Sequence, residues 1–159
     1  EQAILVKVMP LLKEFKNPLT SPPKVTFFEG IQGCRKAYWM LLEATDGILE
    51  FGVHDDLLKL GEDYMKKFIK ERSRRKIFIR AIAPHTAVHT ALKKRNKKEY
   101  RNIYTYPKKA GRLYYSLAIY NNNVLIMNLY QDAFAILIES AEVAQTMKTI
   151  HTLIFEQGK

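Results

Sequence analysis

The stretch 113–139, LYYSLAIYNNNVLIMNLYQDAFAILIE, decides the architecture of this chain. Leu113–Asn121, Val124–Tyr130 and Phe134–Glu139 are runs of β-branched, aromatic and long apolar residues, with no room for helices between them. Asn121-Asn122-Asn123 offers residues that tolerate positive φ, so a tight hairpin is expected there. This half of the chain therefore reads as antiparallel strands, closed by a helix after Ser140 whose buried stripe would be Val143, Met147, Ile150 and Ile154.

The preceding half has a different rhythm. Val25–Phe28 is a short β-rich run, after which Ile31, Cys34, Tyr38 and Leu41 recur at helical spacing. Ile48–Val53 is a second strand. Asp55 or Asp56 can then cap a helix carrying Leu57, Leu60, Tyr64 and Phe68 on one face. Ile77–Ala83, apolar apart from Arg80, has the composition of a strand buried on both sides, and Pro84 ends it. Residues 86–98 are weakly helical and strongly basic, and Tyr100–Tyr106 is a further strand. Strands that alternate with helices and then follow one another directly imply an α/β fold. Its sheet is mixed, parallel early and antiparallel late, and flanked by helices.

Residues 1–16 carry Ile4, Val8, Leu11 and Phe15 on one helical stripe, interrupted by Pro10, and residues 17–23 form a proline-rich linker. Two units are expected: a connector helix over 1–17 and a domain over 23–159. Beginning at Glu1 without an initiator methionine, the chain reads as a piece of a longer protein.

With 47% hydrophobic residues the chain can fill a core. Cys34 is its one cysteine, so an intrachain disulfide and cysteine-based zinc sites are excluded by count, and a buried apolar role is expected for it. No window approaches the ~20 apolar residues of a membrane helix, so the expected partners include no membrane and the expected location is the cytoplasm. Charge is strongly segregated. Residues 66–112 hold 17 of the 26 basic residues and two of the 16 acidic ones, Glu71 and Glu99, so this segment carries +15 and the flanks −5.

Few residues carry chemistry. Gly-x-Ser-x-Gly and phosphate-loop patterns are absent. His85 and His89 stand four apart, but Thr86 occupies the place where a zinc protease has its glutamate, so no metal site and no cofactor are expected. Gly30 and Gly33 lie between a strand and a helix, where free N–H groups can hold an anion or a tight turn can need glycine. The basic clusters include Lys67, Lys70, Arg74 and Arg75, then Lys93, Lys94, Lys97 and Lys98 with Tyr100, Tyr104 and Tyr106 interleaved. Such a segment serves either as solvated surface or as a track for a nucleic-acid backbone.

The segment Pro23-Lys24-Val25-Thr26-Phe27-Phe28-Glu29-Gly30, followed by a helix from Ile31, resembles the start of the C-terminal domain of TrmB-family transcription regulators. The strand 77–84, Tyr100-Arg101, the hairpin at 120–126 and Ile138-Glu139-Ser140 agree with that family in order. The resemblance implies a phospholipase D-like fold. The catalytic version of that fold carries His-x-Lys-x4-Asp on the strand before a turn. Aligned at Asn121, this chain has Tyr114 for the histidine, Ser116 for the lysine and Asn121 for the aspartate, so no catalytic residue and no enzyme activity are expected.

The resemblance further implies a homodimer paired through Ile4, Val8, Leu11 and Phe15. DNA would be read by a winged helix outside this sequence. The general rule that ligands bind at strand ends, rather than the resemblance, places a small-molecule effector of unspecified chemistry near Glu29, Gly30, Gly33, Arg101 and Tyr114. Two other readings accompany it: a nucleic-acid-binding module using residues 66–112, and a divergent phosphodiesterase with His85 or His89 as nucleophile.

Overall fold

The computed structural model describes residues 22–52 and 54–158; the stripe of Ile4, Val8, Leu11 and Phe15 lies outside them. In chain order the elements are β1 (Lys24–Glu29), α1 (Gly30–Trp39), β2 (Ile48–Phe51), α2 (His54–Leu57), α3 (Glu62–Arg74), β3 (Ile79–Pro84), α4 (Ala87–Lys93), β4 (Arg101–Tyr106), β5 (Tyr115–Tyr120), β6 (Asn123–Asn128), β7 (Phe134–Glu139) and α5 (Ala141–Gln157). The seven strands form one sheet in the order β1-β7-β6-β5-β2-β3-β4. β2, β3 and β4 run parallel, and every other pairing is antiparallel.

This is the expected mixed sheet, with one displacement. β1, read as part of the parallel half, lies at the far edge and pairs antiparallel with β7, Lys24 opposite Glu139 and Phe28 opposite Ala135. Its side chains explain the choice. Thr26 and Phe28 are half-buried while Val25 and Phe27 stay exposed, the alternation of an edge strand with one covered face rather than of a central parallel strand.

α1, α3 and α4 cover one face. Cys34, Tyr38 and Leu41 from α1 and the turn after it meet Phe68 of α3 and Leu125, Met127, Ala135 and Leu137 of the sheet, while Leu92 of α4 sits on Ala81, Ala83 and Ile103. Burial raises the Cys34 thiol's pKa, so it stays protonated and serves as packing. Among the described residues α5 alone covers the opposite face, through Ala144 on Ile119 and Val124. Successive strand residues such as Val124 and Leu125 thus supply the two cores in alternation.

Two helical expectations are corrected. The helix placed over Leu57, Leu60, Tyr64 and Phe68 breaks at Gly61, whose φ of 106° is open to glycine at little cost. Arg35 Nε donates to the carbonyl of Leu60 at 2.7 Å and satisfies the broken end. In α5 the buried residues are Ala144, His151 and Phe155, whereas Ile150 and Ile154 of the expected stripe are 43% and 39% exposed. The helix is turned because a polar residue has found a buried partner: His151 Nε2 lies 3.2 Å from the Glu50 carbonyl, and its ring stacks on Phe155. Periodicity weighs only apolar side chains, so it misplaces a helix anchored by histidine.

The hairpin between β5 and β6 turns at Asn121 and Asn122, with Tyr120 opposite Asn123 and Asn121 at φ 50°. Asn121 also ties the turn down. Its Oδ1 accepts from the backbone N–H and the hydroxyl of Thr45, both at 3.0 Å, and its amide donates to the Glu43 carbonyl at 3.0 Å.

Candidate ligand crevice at the strand ends

Parallel β2 lies between antiparallel β5 and parallel β3, so the chain direction changes across it. The carboxyl ends of β2 and β3 and the amino end of β5 leave a crevice of about 400 Å³, lined by Asp55, Asp56, Pro84, Thr86, Lys108, Gly111 and Arg112. Such divergence at carboxyl ends is where open α/β sheets place ligands.

The rim is an aromatic and ionic cluster. The Arg112 guanidinium lies 5.2 Å from the ring centre of Tyr114 and 4.6 Å from that of Tyr130, and the two rings meet edge to face at 5.4 Å. Asp56 holds Arg112 at 3.7 Å and Lys59 at 3.4 Å. Lys59 also donates to the Leu129 carbonyl at 2.9 Å and sits over Tyr130. Tyr114 remains 56% exposed. The cluster thus combines π-faces, cations and a carboxylate that positions them, groups with the chemistry to hold a planar or anionic small molecule.

Beneath lies a buried polar group. Glu50 of β2 faces Tyr38, whose hydroxyl is 3.5 Å from Oε2. Burial pushes the Glu50 carboxyl up to about 7, although Arg72, Arg101 and the Tyr38 hydroxyl favour its charged form. Gly52 leaves it room, since a Cβ there would stand 2.3 Å from Oε1. His54 is pulled down to about 4, chiefly by burial and then by Arg101 and His89. These groups line a cavity of only about 40 Å³, room for water and too little for a sugar or nucleotide.

His89 is held at both nitrogens. Nδ1 lies 2.7 Å from the Pro84 carbonyl, and Nε2 accepts from the His54 N–H at 3.2 Å. The ring is therefore neutral with its proton on Nδ1, and burial lowers its pKa. That leaves no lone pair for a nucleophilic attack or a metal. Among the described residues no group of three potential ligands is placed to hold a metal ion. His85 is exposed, 3.4 Å from the Thr105 hydroxyl.

The residues singled out from sequence are scattered. Glu29, Gly30 and Gly33 lie at the carboxyl end of edge strand β1, while Arg101 begins β4 at the opposite edge and the opposite end, so these four do not share a pocket. The glycines belong to the tight turn: Gly30 has φ 68° and donates to the Ala133 carbonyl at 2.8 Å, and a Cβ on Gly33 would press on the Phe28 backbone at 3.0 Å. Arg101 is buried in an ion pair with Glu99 beside the Glu50 cavity. Of these residues Tyr114 alone borders the crevice, through its contact with the lining residue Arg112.

Ser116 is buried against Glu50 and Tyr38, and Asn121 lies at the far end of β5. Of the basic residues, Arg74 and Arg75 are paired with Glu71 at 2.7 Å and Lys93 bonds the Thr105 hydroxyl at 3.0 Å, whereas Lys67, Lys70, Lys94, Lys97 and Lys98 are exposed. Sequence reading passed over Glu50 and Tyr130, and took Arg72 and Arg112 only as members of the basic segment 66–112. The one available signal was Glu50, a lone acid inside an apolar strand.

No helix among the described residues is long and apolar enough to cross a membrane. The sequence matches no family model and no curated protein. Solved structures do match. TrmBL2, an archaeal chromatin protein described as showing a novel mode of DNA binding, superposes with a TM-score of 0.58 at 16% identity, covering 99% of this chain and 60% of its own. NucT from Helicobacter pylori, a phospholipase D-like nuclease, superposes at 0.57 with 15% identity, covering 85% of this chain and 97% of its own. The chain thus spans 60% of the length of TrmBL2, and its fold is that of the phospholipase D-like proteins.

Proposed function

We propose that this chain is the regulatory domain of a TrmB-like transcription regulator, a phospholipase D-like scaffold that binds and pairs rather than cleaves. The observation that carries the reading is the composition of β5 and the residues flanking it. Where a nuclease of this fold requires imidazole, ammonium and carboxylate, the chain has Tyr114 just before β5, Ser116 within it and Asn121 just after it. Tyr114 lies in a cation–aromatic cluster, Ser116 is buried against an acid, and Asn121 is bound to the 43–45 turn. The likeness to TrmBL2 supports a link to DNA-binding proteins, and the likeness to NucT supports descent from a hydrolytic scaffold.

In this reading a small effector enters the crevice, with Arg112, Tyr114 and Tyr130 as its contacts. It acts only so far as it binds two arrangements of a dimer unequally. The dimer pairs through Ile4, Val8, Leu11 and Phe15 and fixes the spacing of DNA-reading domains on symmetric half-sites. DNA is contacted through a domain outside this chain, and the protein works in the cytoplasm. Sedimentation velocity tests the pairing: the chain should run at twice its 18.5 kDa mass, and removal of residues 1–17 should yield monomers. A monomer at the outset, or a dimer indifferent to the deletion, would contradict it.

A further inference from the structure

The two basic runs, separate in sequence, meet at one end of the sheet. A single buried side chain joins them: Arg72 donates to the carbonyls of Ile77 at 2.8 Å, Tyr100 at 2.9 Å and Glu99 at 2.6 Å. Ile79 N–H adds a bond to the Tyr100 carbonyl at 3.0 Å, and Arg101 N–H one to the Asn96 carbonyl at 2.9 Å. The turn after α3 and the turn after α4 are thereby fixed side by side at the amino ends of neighbouring strands β3 and β4.

The local acids are already committed there. Glu71 holds Arg74 and Arg75, and Glu99 holds Arg95 and Arg101. Lys70, Lys76, Lys94, Lys97 and Lys98 are left exposed, with no side-chain partner among the described residues. The carboxyl ends of α3 and α4 point the same way, and each adds about half a negative charge. Five unpaired ammonium groups outweigh that, and the surface is strongly cationic.

We infer that this surface binds the phosphate backbone of duplex nucleic acid without reading its sequence. Ammonium groups on turns held by Arg72 suit phosphates, whereas reading base edges needs an element that enters a groove, and among the described residues this surface is built of the ends of α3 and α4 and the turns after them. A lipid surface is the poorer match, because a membrane-seeking basic element also presents an apolar face to insert, and beside the lysines and arginines of these turns only Phe78, 37% exposed, is a large apolar side chain among the described residues. The surface is distinct from the effector crevice, which opens at the other end of the parallel strands, so either proposal can fail without the other.

The test uses the whole 159-residue chain and the fluorescence anisotropy of a labelled duplex of arbitrary sequence, titrated from low to moderate salt. With about five phosphates neutralised, log affinity should fall against log salt with a slope of about −4 to −5. The Lys94→Ala/Lys97→Ala double variant should bind about tenfold more weakly and lose about two from that slope. Lys24→Ala/Lys36→Ala, which removes the same charge elsewhere, should leave the curve in place. Salt-independent or absent binding would overturn the inference, as would equal weakening by both doubles. So would retention on phosphatidylserine vesicles with none on the duplex.

Discussion

Arg72→Met should cost about 3–5 kcal/mol and lower the melting temperature by about 10 °C, the largest loss expected from any single side chain here. Arg72 is 1% exposed, and its guanidinium fork bonds three backbone carbonyls drawn from two separate turns. Methionine keeps the apolar stem and removes the donors. The Tyr100 carbonyl would retain its bond from Ile79 N–H, but those of Ile77 and Glu99 would lose their bonds to Arg72, each loss costing about 1–3 kcal/mol where the group stays buried. Lysine would not rescue the site, because a point ammonium cannot span the fork. Arg74→Met, which removes an exposed ion pair, should change stability by less than about 1 kcal/mol. Urea denaturation of the three variants decides the matter; near-wild-type stability of Arg72→Met would show that the turns hold together without it.

Glu50→Gln should stabilise the protein, and increasingly so as pH rises. The carboxyl sits at about 7 in the fold against 4.5 in the open chain. A raised carboxyl pKa means that the native state binds the proton more tightly. Between pH 4.5 and 7 the folded form therefore holds more protons than the unfolded one, and stability falls with increasing pH through that window. The full difference is about 3 kcal/mol.

Glutamine cannot ionise, so the gap between variant and wild type should grow from nearly nothing at pH 4.5 to about 3 kcal/mol at pH 8. The histidines act with opposite sign: His54, His89 and His151 have lowered pKa values, so their contribution is present above pH 6.5 and lost on acidification. That term is common to both proteins and drops out of the difference. If instead Arg72 and Arg101 held Glu50 ionised, Glu50→Gln would be the less stable protein at pH 8.

How far the chain could be read depended on the range of the interactions involved. The β5–β6 hairpin was legible because Asn121 and Asn122 are adjacent to each other and to the strands they join. The α1 stripe was legible because Cys34, Tyr38 and Leu41 are all apolar and regularly spaced. The position of β1 was not, since its partner β7 is more than a hundred residues away and nothing local distinguishes an edge from a centre. α5 was misoriented because His151 is buried by a bond to the Glu50 carbonyl, a contact without sequence periodicity. The crevice escaped for the same reason: Asp56, Lys59, Arg112, Tyr114 and Tyr130 converge from three distant segments. Tyr114 was noticed only through the family resemblance, and Arg112, two residues before it, has no meaning until Tyr130 completes the cluster.

The central claim, that this phospholipase D-like end binds but does not cut, is tested most directly by release of p-nitrophenolate from bis(p-nitrophenyl) phosphate at neutral pH. The account predicts a rate equal to buffer alone, unchanged in Tyr114→Phe and Ser116→Ala. Turnover by the unmodified chain that disappears in Tyr114→Phe, Ser116→Ala or His85→Ala would contradict it.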